Sequence, residues 1–315
     1  MSSSIPKLMH AVTLTGHGGM DKLEYKNDID VPVPKEDEVL IRVKGAGVNN
    51  TDINTRIGWY SKSADNKSND GSWSGNPLDF PIIQGADICG NIVAVGSQVN
   101  QSRIGERVIV RTMQTVPENK KNFSAWTVGS ECNGGFAQYA AVRSSEAFVI
   151  NSNWTDAEIA SIPCAYSTAE GLLHRSRVGK EKVFITGASG GVGSAAIQLA
   201  KLRNATVIAQ CSSEKKDKVK KIGADQIVFR DSDLIEELGG NSVDVVIDLV
   251  AGLNWKQLLD ILKPGGRYAT SGAIAGPIVE LDVRTLYLKD LTLYGCTHQP
   301  KEVFTDLIGY IERNE

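Results

Sequence analysis

The glycine-rich stretch TGASGGVGSAAIQLAK, from Thr186 to Lys201, has the residue types and spacing of a phosphate-binding turn. It follows the apolar run KVFITG and continues into a helix-like segment, which is the context that a dinucleotide fingerprint requires. Read from Ala188, a small residue makes the tight turn, Gly190 lets the backbone approach a pyrophosphate, and Gly193 lets helix and strand pack closely. The alternative is a glycine-rich bend without a ligand. The predicted cofactor contacts in this turn are Ala188, Ser189, Gly190, Gly191, Val192 and Gly193.

The residues after the next predicted strand indicate which dinucleotide the turn prefers. A site for NAD carries an acidic residue about 20 positions beyond the glycines, where it binds the ribose hydroxyl. The run AQCSSEKKDK has no acidic residue at the strand end, whereas Ser212, Ser213 and Lys216 could hydrogen-bond and neutralise a 2′-phosphate. The alternative is that the lysines of this run only cover a solvated helix face. The sequence therefore predicts NADP as the cofactor.

Two segments of different sequence pattern must position this site. Up to residue 152, short β-like runs alternate with turns, and in EVLIRVKGAGV the residues Ile41 and Val43 alternate with Arg42 and Lys44 as in a half-buried strand. After residue 152, apolar runs such as KVFITG, ATVIAQ and VDVVIDLV alternate with helical segments, which is typical of a parallel sheet covered on both faces. NWKQLLDILKPGG is predicted to be a helix closed by a Pro-Gly-Gly turn. The fold class is therefore α/β, with an antiparallel β domain before a doubly wound sheet.

Composition and charge exclude several classes of protein. The chain has 315 residues and a net charge of −3, so bulk attraction to nucleic acid or anionic lipid is not expected. No apolar run reaches the roughly 20 residues of a membrane helix, and the start MSSSIPKLMH is not a secretory signal. Dispersed cysteines without a CxxC pair predict reduced thiols in a cytoplasmic protein. These cysteines are Cys89, Cys132, Cys164, Cys211 and Cys296.

The segment from Ser61 to Pro77 is rich in Ser, Asn, Asp and Gly. Such composition predicts a surface loop without regular structure. Because long loops also serve as active-site lids, a substrate lid is the alternative interpretation.

Four stretches together resemble the medium-chain dehydrogenase/reductase superfamily: the ASGGVG turn with its flanking elements, VDVVIDLVAG, LKPGGRYATSGAIAG and GGFAQYAAV. The particular likeness is to its zinc-independent quinone oxidoreductase branch, which includes zeta-crystallin. It implies a GroES-like catalytic domain over residues 1–152, a Rossmann NADP-binding domain over 153–299, and a cofactor cleft between them. Residues 300–315 would begin a segment that returns to the catalytic domain and that is truncated relative to the family pattern. The resemblance also implies a homodimer formed through the strand LTLYGCT.

In the zinc alcohol dehydrogenases of that superfamily, a Cys, a His and a second Cys hold a catalytic zinc. This sequence has Asn49 where the first Cys would be, Ala86 and Asp87 in place of a His-Glu pair, and only Cys164 of the three ligands. One thiolate and a nearby carboxylate do not supply the three protein ligands of a catalytic zinc. We therefore expect chemistry without a metal, with Cys164 as a small buried side chain.

The zinc-free branch also implies catalytic residues in the stretch GVNNTDINTRIGWY. Asn49 matches its active-site asparagine, Tyr60 its aromatic residue at the cleft mouth, and Thr51 the hydroxyl that alcohol dehydrogenases use to relay a proton. Donors aimed at a carbonyl oxygen can stabilise the negative charge that develops when a quinone or enone is reduced. The alternatives are a turn residue for Asn49 and surface packing for Tyr60. The family further implies nicotinamide contacts at Thr168, Gly272, Ala273 and Ile274.

Three functions are compatible with these patterns. The first is an NADPH-dependent oxidoreductase that transfers hydride to a quinone or an α,β-unsaturated carbonyl without a catalytic metal. The second is an alcohol dehydrogenase of the same superfamily, which would need metal through Asp87, Cys164 and a third ligand. The third is a non-catalytic NADPH-binding protein. The expected partner is a small-molecule substrate, since the chain has no basic and aromatic patch for nucleic acid and no membrane segment.

Overall fold

The computed structural model describes residues 5–61, 71–72, 77–115 and 125–315. The chain divides into two compact units, one of Met1–Cys164 with Ile308–Asn314 and the other of Ala165–Leu307 with Glu315. Most of the predicted loop from Ser61 to Pro77 lies at 62–70 and 73–76, outside the described residues. No helix in the described part of the chain is long and apolar enough to cross a membrane.

The first unit is built mainly from antiparallel strands, as its sequence pattern predicts. Its described strands are β1 (Leu8–Leu14), β2 (Leu23–Asp30), β3 (Glu38–Gly45), β4 (Ile82–Ile83), β5 (Cys89–Val95), β6 (Arg107–Val110), β7 (Met113–Thr115), β8 (Ala125–Thr127), β9 (Tyr139–Arg143) and β10 (Ala147–Val149). They form sheets of order β10-β6-β5-β3-β9, β2-β1-β4 and β7-β8. The helices that begin in this unit are α1 (Asn50–Ile57), α2 (Asp156–Ala160) and α3 (Pro163–Arg175).

Strand β3 ends half-buried, as its alternation predicts, since Ile41 is buried and Lys44 is exposed. Its start is covered on both faces. Ile41 packs in one apolar core with residues of β5 and β6, whereas Leu40 packs in a second core with Met9 and Ile83. The pairing of β3 with β5 shifts register between Leu40 and Ile41.

The second unit contains one six-stranded sheet of the doubly wound type. Its described strands are β11 (Lys182–Ile185), β12 (Thr206–Cys211), β13 (Gln226–Phe229), β14 (Val243–Asp248), β15 (Leu262–Thr270) and β16 (Thr292–Gly295). All neighbouring pairs are parallel, and the order is β13-β12-β11-β14-β15-β16. The order reverses between β11 and β14, and ligands of such folds bind at the carboxyl ends of the strands near this reversal. The predicted fold class, a GroES-like β domain with a Rossmann domain, is confirmed.

Helices pack against this sheet. Those that begin in the second unit are α4 (Gly191–Leu202), α5 (Lys216–Lys221), α6 (Leu234–Leu238), α7 (Trp255–Asp260), α8 (Val283–Leu288) and α9 (Lys301–Glu312), the last of which ends in the first unit. Phe184 and Val246 lie in a core with Trp255 and Leu258 of α7, while Val183 and Ile185 on the opposite face are also fully buried. Burial on both faces explains why these strands read as continuous apolar runs.

The stretch NWKQLLDILKPGG forms a shorter helix than its sequence predicts. Helix α7 ends at Asp260, and β15 already begins at Leu262, so the Pro-Gly-Gly segment belongs to the strand. Gly265 adopts a φ of +75°, and the pairing of β14 with β15 shifts register between Val243 and Val245. The irregular start of β15 accommodates the proline that the sequence pattern assigns to a helix-closing turn.

Candidate active site and nucleotide-binding turn

Helix α1 carries the candidate catalytic residues of the first unit. Asn49 precedes the helix in an extended conformation, and its N–H donates to Asp52 Oδ2 at 2.8 Å, which is half of a capping box. Gly58 ends the helix with a left-handed φ of +73°. The cap residues at both ends stabilise a helix of only eight, mostly polar, residues.

The side chain of Asn49 is hydrogen-bonded to a buried carboxylate. Asn49 Nδ2 donates to Asp87 Oδ2 at 2.8 Å, and the backbone N–H of Cys164 donates to Asp87 Oδ1 at 2.7 Å. Asp87 is 1% exposed and Cys164 is 7% exposed. The positions that align with the two zinc-binding cysteines, Asn49 and Cys164, therefore meet at Asp87 in one hydrogen-bonded cluster of the first unit.

Burial changes the acid–base behaviour of this cluster. Desolvation raises the pKa of Asp87 to about 7, against the opposing hydrogen bonds from Asn49 and Cys164. Desolvation also raises the pKa of Asp52, and it raises the pKa of the Cys164 thiol well above its ordinary value. Cys164 is therefore a neutral thiol at neutral pH, and the charge of the cluster lies on its carboxyl groups.

Asp52 fixes the backbone around the cluster. Its Oδ1 accepts from the N–H groups of Gly85 and Ala86 at 3.2 and 3.3 Å, and its carbonyl oxygen accepts from Gln84 Nε2 at 2.9 Å. With the bond from Asn49 N–H, Asp52 joins the start of α1 to the loop before β5. Asp52 therefore has a structural role in this part of the first unit.

Thr51 and Tyr60 lie together at α1. Tyr60 OH donates to Thr51 Oγ1 at 3.2 Å and accepts from Asn54 Nδ2 at 3.4 Å. Thr51 is buried and Tyr60 is half-buried. The structure thus brings two of the predicted catalytic hydroxyls into contact with one another.

In the second unit, the glycine-rich turn has the shape that a phosphate site requires. Gly190 precedes α4 with a φ of −81° and is exposed, as are Ser189 and Gly191, so the first N–H groups of the helix are accessible. A Cβ on Gly193 would lie 2.3 Å from the carbonyl oxygen of Gly187, which explains the glycine at this position. The accessible N–H groups and the close packing of this turn therefore fit the pyrophosphate of a dinucleotide.

The left-handed residue of this turn is Gly187, not the position assigned from the fingerprint. Gly187 has a φ of +58°, whereas Ala188 is fully buried and its N–H donates to the carbonyl oxygen of Gln210 at 3.1 Å. The tight turn thus occurs one residue earlier than the pattern predicts. A glycine directly before the pattern, in TGASGG, was the available signal.

The carboxyl end of β12 is followed by hydroxyl and charged side chains. Ser212 follows the strand, Ser213 begins a short 3₁₀ helix, and Lys216 begins α5, with Ser213 and Lys216 exposed. Arg230, which follows β13, donates its backbone N–H to the carbonyl oxygen of Cys211 at 3.1 Å and is exposed. Desolvation raises the pKa of Cys211, and the charge of Arg230 opposes that rise. Sequence reasoning missed Arg230 because it reaches this site from the next strand.

The remaining predicted cofactor residues also lie in the second unit. Thr168 Oγ1 on α3 accepts from Gln299 Nε2 at 3.3 Å. Gly272 follows β15, and a Cβ there would lie 2.6 Å from the carbonyl oxygen of Leu249. Ala273 is half-buried, and Ile274 is 72% exposed. Gly272, Ala273 and Ile274 thus form a loop at the same sheet edge as the glycine-rich turn.

Asp248 joins the strand ends that carry these loops. This fully buried carboxylate accepts from Thr186 Oγ1 at 2.6 Å, from Tyr268 OH at 2.5 Å, and from the N–H groups of Val250 and Ala251. Desolvation and the neighbouring Asp248 raise the pKa of Tyr268, so its hydroxyl stays a donor. Ala251 adopts a left-handed φ of +54° in this network. Sequence reasoning missed Asp248, whose only signal is its place in VDVVIDLVAG.

Comparison with known proteins agrees with this architecture. Residues 35–152 match the alcohol dehydrogenase GroES-like domain, and residues 191–313 match the zinc-binding dehydrogenase family. The chain is 30% identical to a pig (Sus scrofa) quinone oxidoreductase over 97% of this chain and 86% of the relative. It is 33% identical to the chloroplastic NADPH-dependent alkenal/one oxidoreductase of Arabidopsis thaliana, over 87% of this chain and 66% of the relative.

The solved structure of a Sinorhizobium meliloti protein, provisionally named an alcohol dehydrogenase, aligns with a TM-score of 0.89 at 43% identity over 98% of this chain and 88% of that one. The chain belongs to the medium-chain dehydrogenase/reductase superfamily. The relatives named here are oxidoreductases, so the chain is an oxidoreductase of that superfamily. Enzymes of this superfamily use a nicotinamide cofactor, for which the turn at Gly187–Gly193 provides the expected site.

The superfamily contains zinc enzymes, and the residues of the first unit do not fit their metal site. Asn49 donates from its Nδ2 to Asp87 and replaces the first thiolate, and Ala86 stands in place of the histidine ligand. In the described part of the chain, no group of three or more His, Cys, Asp and Glu side chains could hold a metal ion. A catalytic zinc of this superfamily requires three protein ligands.

Proposed function

We propose that the protein is an NADPH-dependent reductase of quinones or α,β-unsaturated carbonyls that acts without a catalytic metal. The observation that carries the proposal is the bond from Asn49 Nδ2 to Asp87 Oδ2 at 2.8 Å. This amide donor is hydrogen-bonded to a carboxylate, and by the resemblance Asn49 corresponds to the first thiolate ligand of a zinc alcohol dehydrogenase. The names of the pig and Arabidopsis relatives, a quinone oxidoreductase and an NADPH-dependent alkenal/one oxidoreductase, support the same acceptor classes.

The donor set argues against the alcohol dehydrogenase alternative. Cys164 and Asp87 would supply one thiolate and one carboxylate, which is one ligand fewer than the three protein ligands of a catalytic zinc. Ala86 offers no ligand atom in place of the histidine. Metal binding at this cluster would therefore leave the coordination incomplete.

The preference for NADPH is supported by the end of β12. Two serine hydroxyls and Lys216 are next to the strand end, with Arg230 as a second cation beside Cys211. Hydrogen bonds and two positive charges suit a 2′-phosphate, whereas an NAD site would offer a carboxylate to the ribose. We propose Ser212, Ser213, Lys216 and Arg230 as the residues that recognise this phosphate.

The bound nicotinamide would supply the hydride, and the residues of the chain would orient the reactants and stabilise charge. Asn49 Nδ2 has two hydrogens; Asp87 accepts one, and we assign the other to the carbonyl oxygen of the substrate. A donor at that oxygen stabilises the negative charge that develops there during reduction. Thr51 and Tyr60 would hold a proton on their hydrogen-bonded hydroxyl pair near this oxygen. Thr168 and the loop Gly272–Ala273–Ile274 are proposed nicotinamide contacts.

The test is a spectrophotometric assay of nicotinamide oxidation against a panel of quinones and enones. We expect turnover with NADPH in preference to NADH, unchanged by a chelator, and kcat of Cys164→Ala within about threefold of the wild type. Loss of activity with chelator, restored by zinc, would overturn the metal-free assignment in favour of an alcohol dehydrogenase. Saturable NADPH binding without turnover on any acceptor would favour a non-catalytic binding protein.

We also propose a homodimer formed through β16, the edge strand of the Rossmann sheet. This strand pairs only with β15 among the described strands, and Leu293 on it is 36% exposed. Sedimentation of the purified protein at micromolar concentration tests the proposal, since a monomeric mass contradicts it. The domain limits at residues 152 and 299 and the cytoplasmic location remain predictions.

A further inference from the structure

The carboxylate of Asp87 joins the start of α1, the loop before β5 and the start of α3. It accepts from Asn49 Nδ2 at 2.8 Å and from Cys164 N–H at 2.7 Å, and it is 1% exposed. We propose that Asp87 is a positioning residue that selects the donor face of the Asn49 amide for the substrate carbonyl. This inference rests on the function proposed above, because it concerns the donor that Asn49 presents to that substrate.

The chemistry of the two groups determines which way the amide faces. A primary amide has a nitrogen with two hydrogens at one end and an oxygen acceptor at the other, while an ionised carboxylate only accepts. Above the raised pKa of Asp87, the ionised carboxylate accepts only from Nδ2 of Asn49, which is the arrangement in the structure, since a flipped amide would place two acceptors against each other. The second Nδ2 hydrogen is then available to the reacting oxygen. Without Asp87, the two ends of the amide have nearly the same shape and nothing in this pair would favour the donor.

The packing leaves the carboxylate little freedom to move. A Cβ on Gly47 would lie 2.5 Å from Asp87 Oδ2 and 2.7 Å from the carbonyl oxygen of Ala160, so Gly47 leaves only the space that the carboxylate needs. Thr112 Oγ1 donates to the carbonyl oxygen of Ala86 at 3.0 Å and so restrains the residue before Asp87. The acceptor that orients Asn49 is therefore held in a defined position.

Asp52 and Asp87 act on different parts of Asn49. Asp52 Oδ2 accepts from the backbone N–H of Asn49 at 2.8 Å, whereas Asp87 binds only its side chain. Removing the Asp87 charge should therefore release the amide without moving the start of α1. This separation makes the role of Asp87 measurable through Asn49.

The test is a double-mutant cycle of Asp87→Asn and Asn49→Ala, with kcat measured for an enone and NADPH. We expect Asp87→Asn alone to lower kcat by about 10- to 100-fold, because a misoriented donor loses much of its effect. In the Asn49→Ala background, the same change should alter kcat by less than about twofold. Equal losses in both backgrounds would overturn the proposal, since Asp87 would then act independently of Asn49.

Two controls separate positioning from a loss of fold. Asp156→Asn is a matched change of a carboxylate in the same unit, which accepts from Arg107 Nε at 2.7 Å, and its kcat should stay within about twofold of the wild type. The dissociation constant of NADPH, which depends on residues of the second unit, should be unchanged in every variant. A variant that binds NADPH more weakly than the wild type is taken to be misfolded and is excluded from the double-mutant cycle.

A second measurement does not depend on turnover. In protein labelled with ¹⁵N-asparagine, the side-chain amide of Asn49, identified by its loss in Asn49→Ala, should be shifted downfield and exchange slowly. In Asp87→Asn this signal should move toward that of a solvated amide. A solvated amide signal in the wild type would overturn the positioning role even if the enzyme reduces enones. Conversely, the wild-type protein could show the shifted signal and yet reduce no acceptor. That result would refute the proposed function but not the hydrogen bond by which Asp87 orients Asn49.

Discussion

Lys216 and Arg230 carry the positive charge that we assign to a 2′-phosphate. Both are exposed, and they lie at the ends of two adjacent strands, β12 and β13. A site of this kind discriminates through charge, because NADH differs from NADPH only by lacking the phosphate that these groups bind. Specificity should therefore change when a single charge is reversed, without any change in the glycine-rich turn.

We expect Lys216→Glu to raise the KM for NADPH at least tenfold, equivalent to about 1.4 kcal/mol, and to leave the KM for NADH within about twofold. Lys218→Glu is the matched control, since it makes the same charge change on the same helix at another exposed position. Steady-state kinetics with both cofactors measures the effect. Equal effects of the two substitutions would show that only the general charge of α5 matters.

At the scale of the element, two glycines in the turn between β11 and α4 have different roles. Gly193 is needed for packing, because an added Cβ would lie 2.3 Å from the Gly187 carbonyl oxygen and 2.7 Å from the Ala188 Cα. Gly190 has space around it, because the nearest atom to an added Cβ is 3.4 Å away. The same substitution at the two positions should therefore have opposite consequences for folding and for binding.

Gly193→Ala should reduce the free energy of unfolding by about 2–3 kcal/mol, since backbone atoms must move to admit the methyl group. Gly190→Ala should lower it by less than about 1 kcal/mol, the cost of alanine at an N-cap, but weaken NADPH binding at least tenfold, because the methyl group would stand where the pyrophosphate approaches. Thermal unfolding and NADPH titration of both variants measure these effects. A fully stable Gly193→Ala protein would contradict the packing argument.

The elements also show what the sequence could and could not predict. Continuous apolar runs predicted the parallel strands because burial on both faces removes the need for polar alternation. Helix α1 was missed because its polar composition lacks an apolar periodicity, although Asn49, Asp52 and Gly58 mark its two ends. The bond between Asn49 and Asp87 joins residues 38 positions apart, which no local pattern reports. Contacts of this kind depend on the tertiary fold alone.

At the scale of the whole molecule, buried acids couple stability to pH. Asp87 and Asp52 lie in one cluster of the first unit, and desolvation raises the pKa of each. Around Asp87, the facing titratable groups are Asp52 from α1 and Cys164 from α3, and the negative charge of Asp52 also favours the protonated form of Asp87. The folded protein therefore holds the Asp87 proton more tightly than the unfolded chain does.

An acid with a raised pKa destabilises the fold as pH rises, because the unfolded state releases its proton first. For Asp87 this loss begins near the ordinary carboxyl pKa of 3.8 and ends near the folded pKa of about 7. Asp87→Asn removes this pH-dependent loss. The difference in free energy of unfolding, variant minus wild type, should therefore increase by roughly 2–3 kcal/mol between pH 5 and pH 8. Denaturant unfolding of both proteins at pH 5, 6.5 and 8 measures this difference, in which the titrating groups that do not interact with Asp87 cancel. A difference that is constant with pH would mean that the carboxyl group ionises in the folded protein as it does in water.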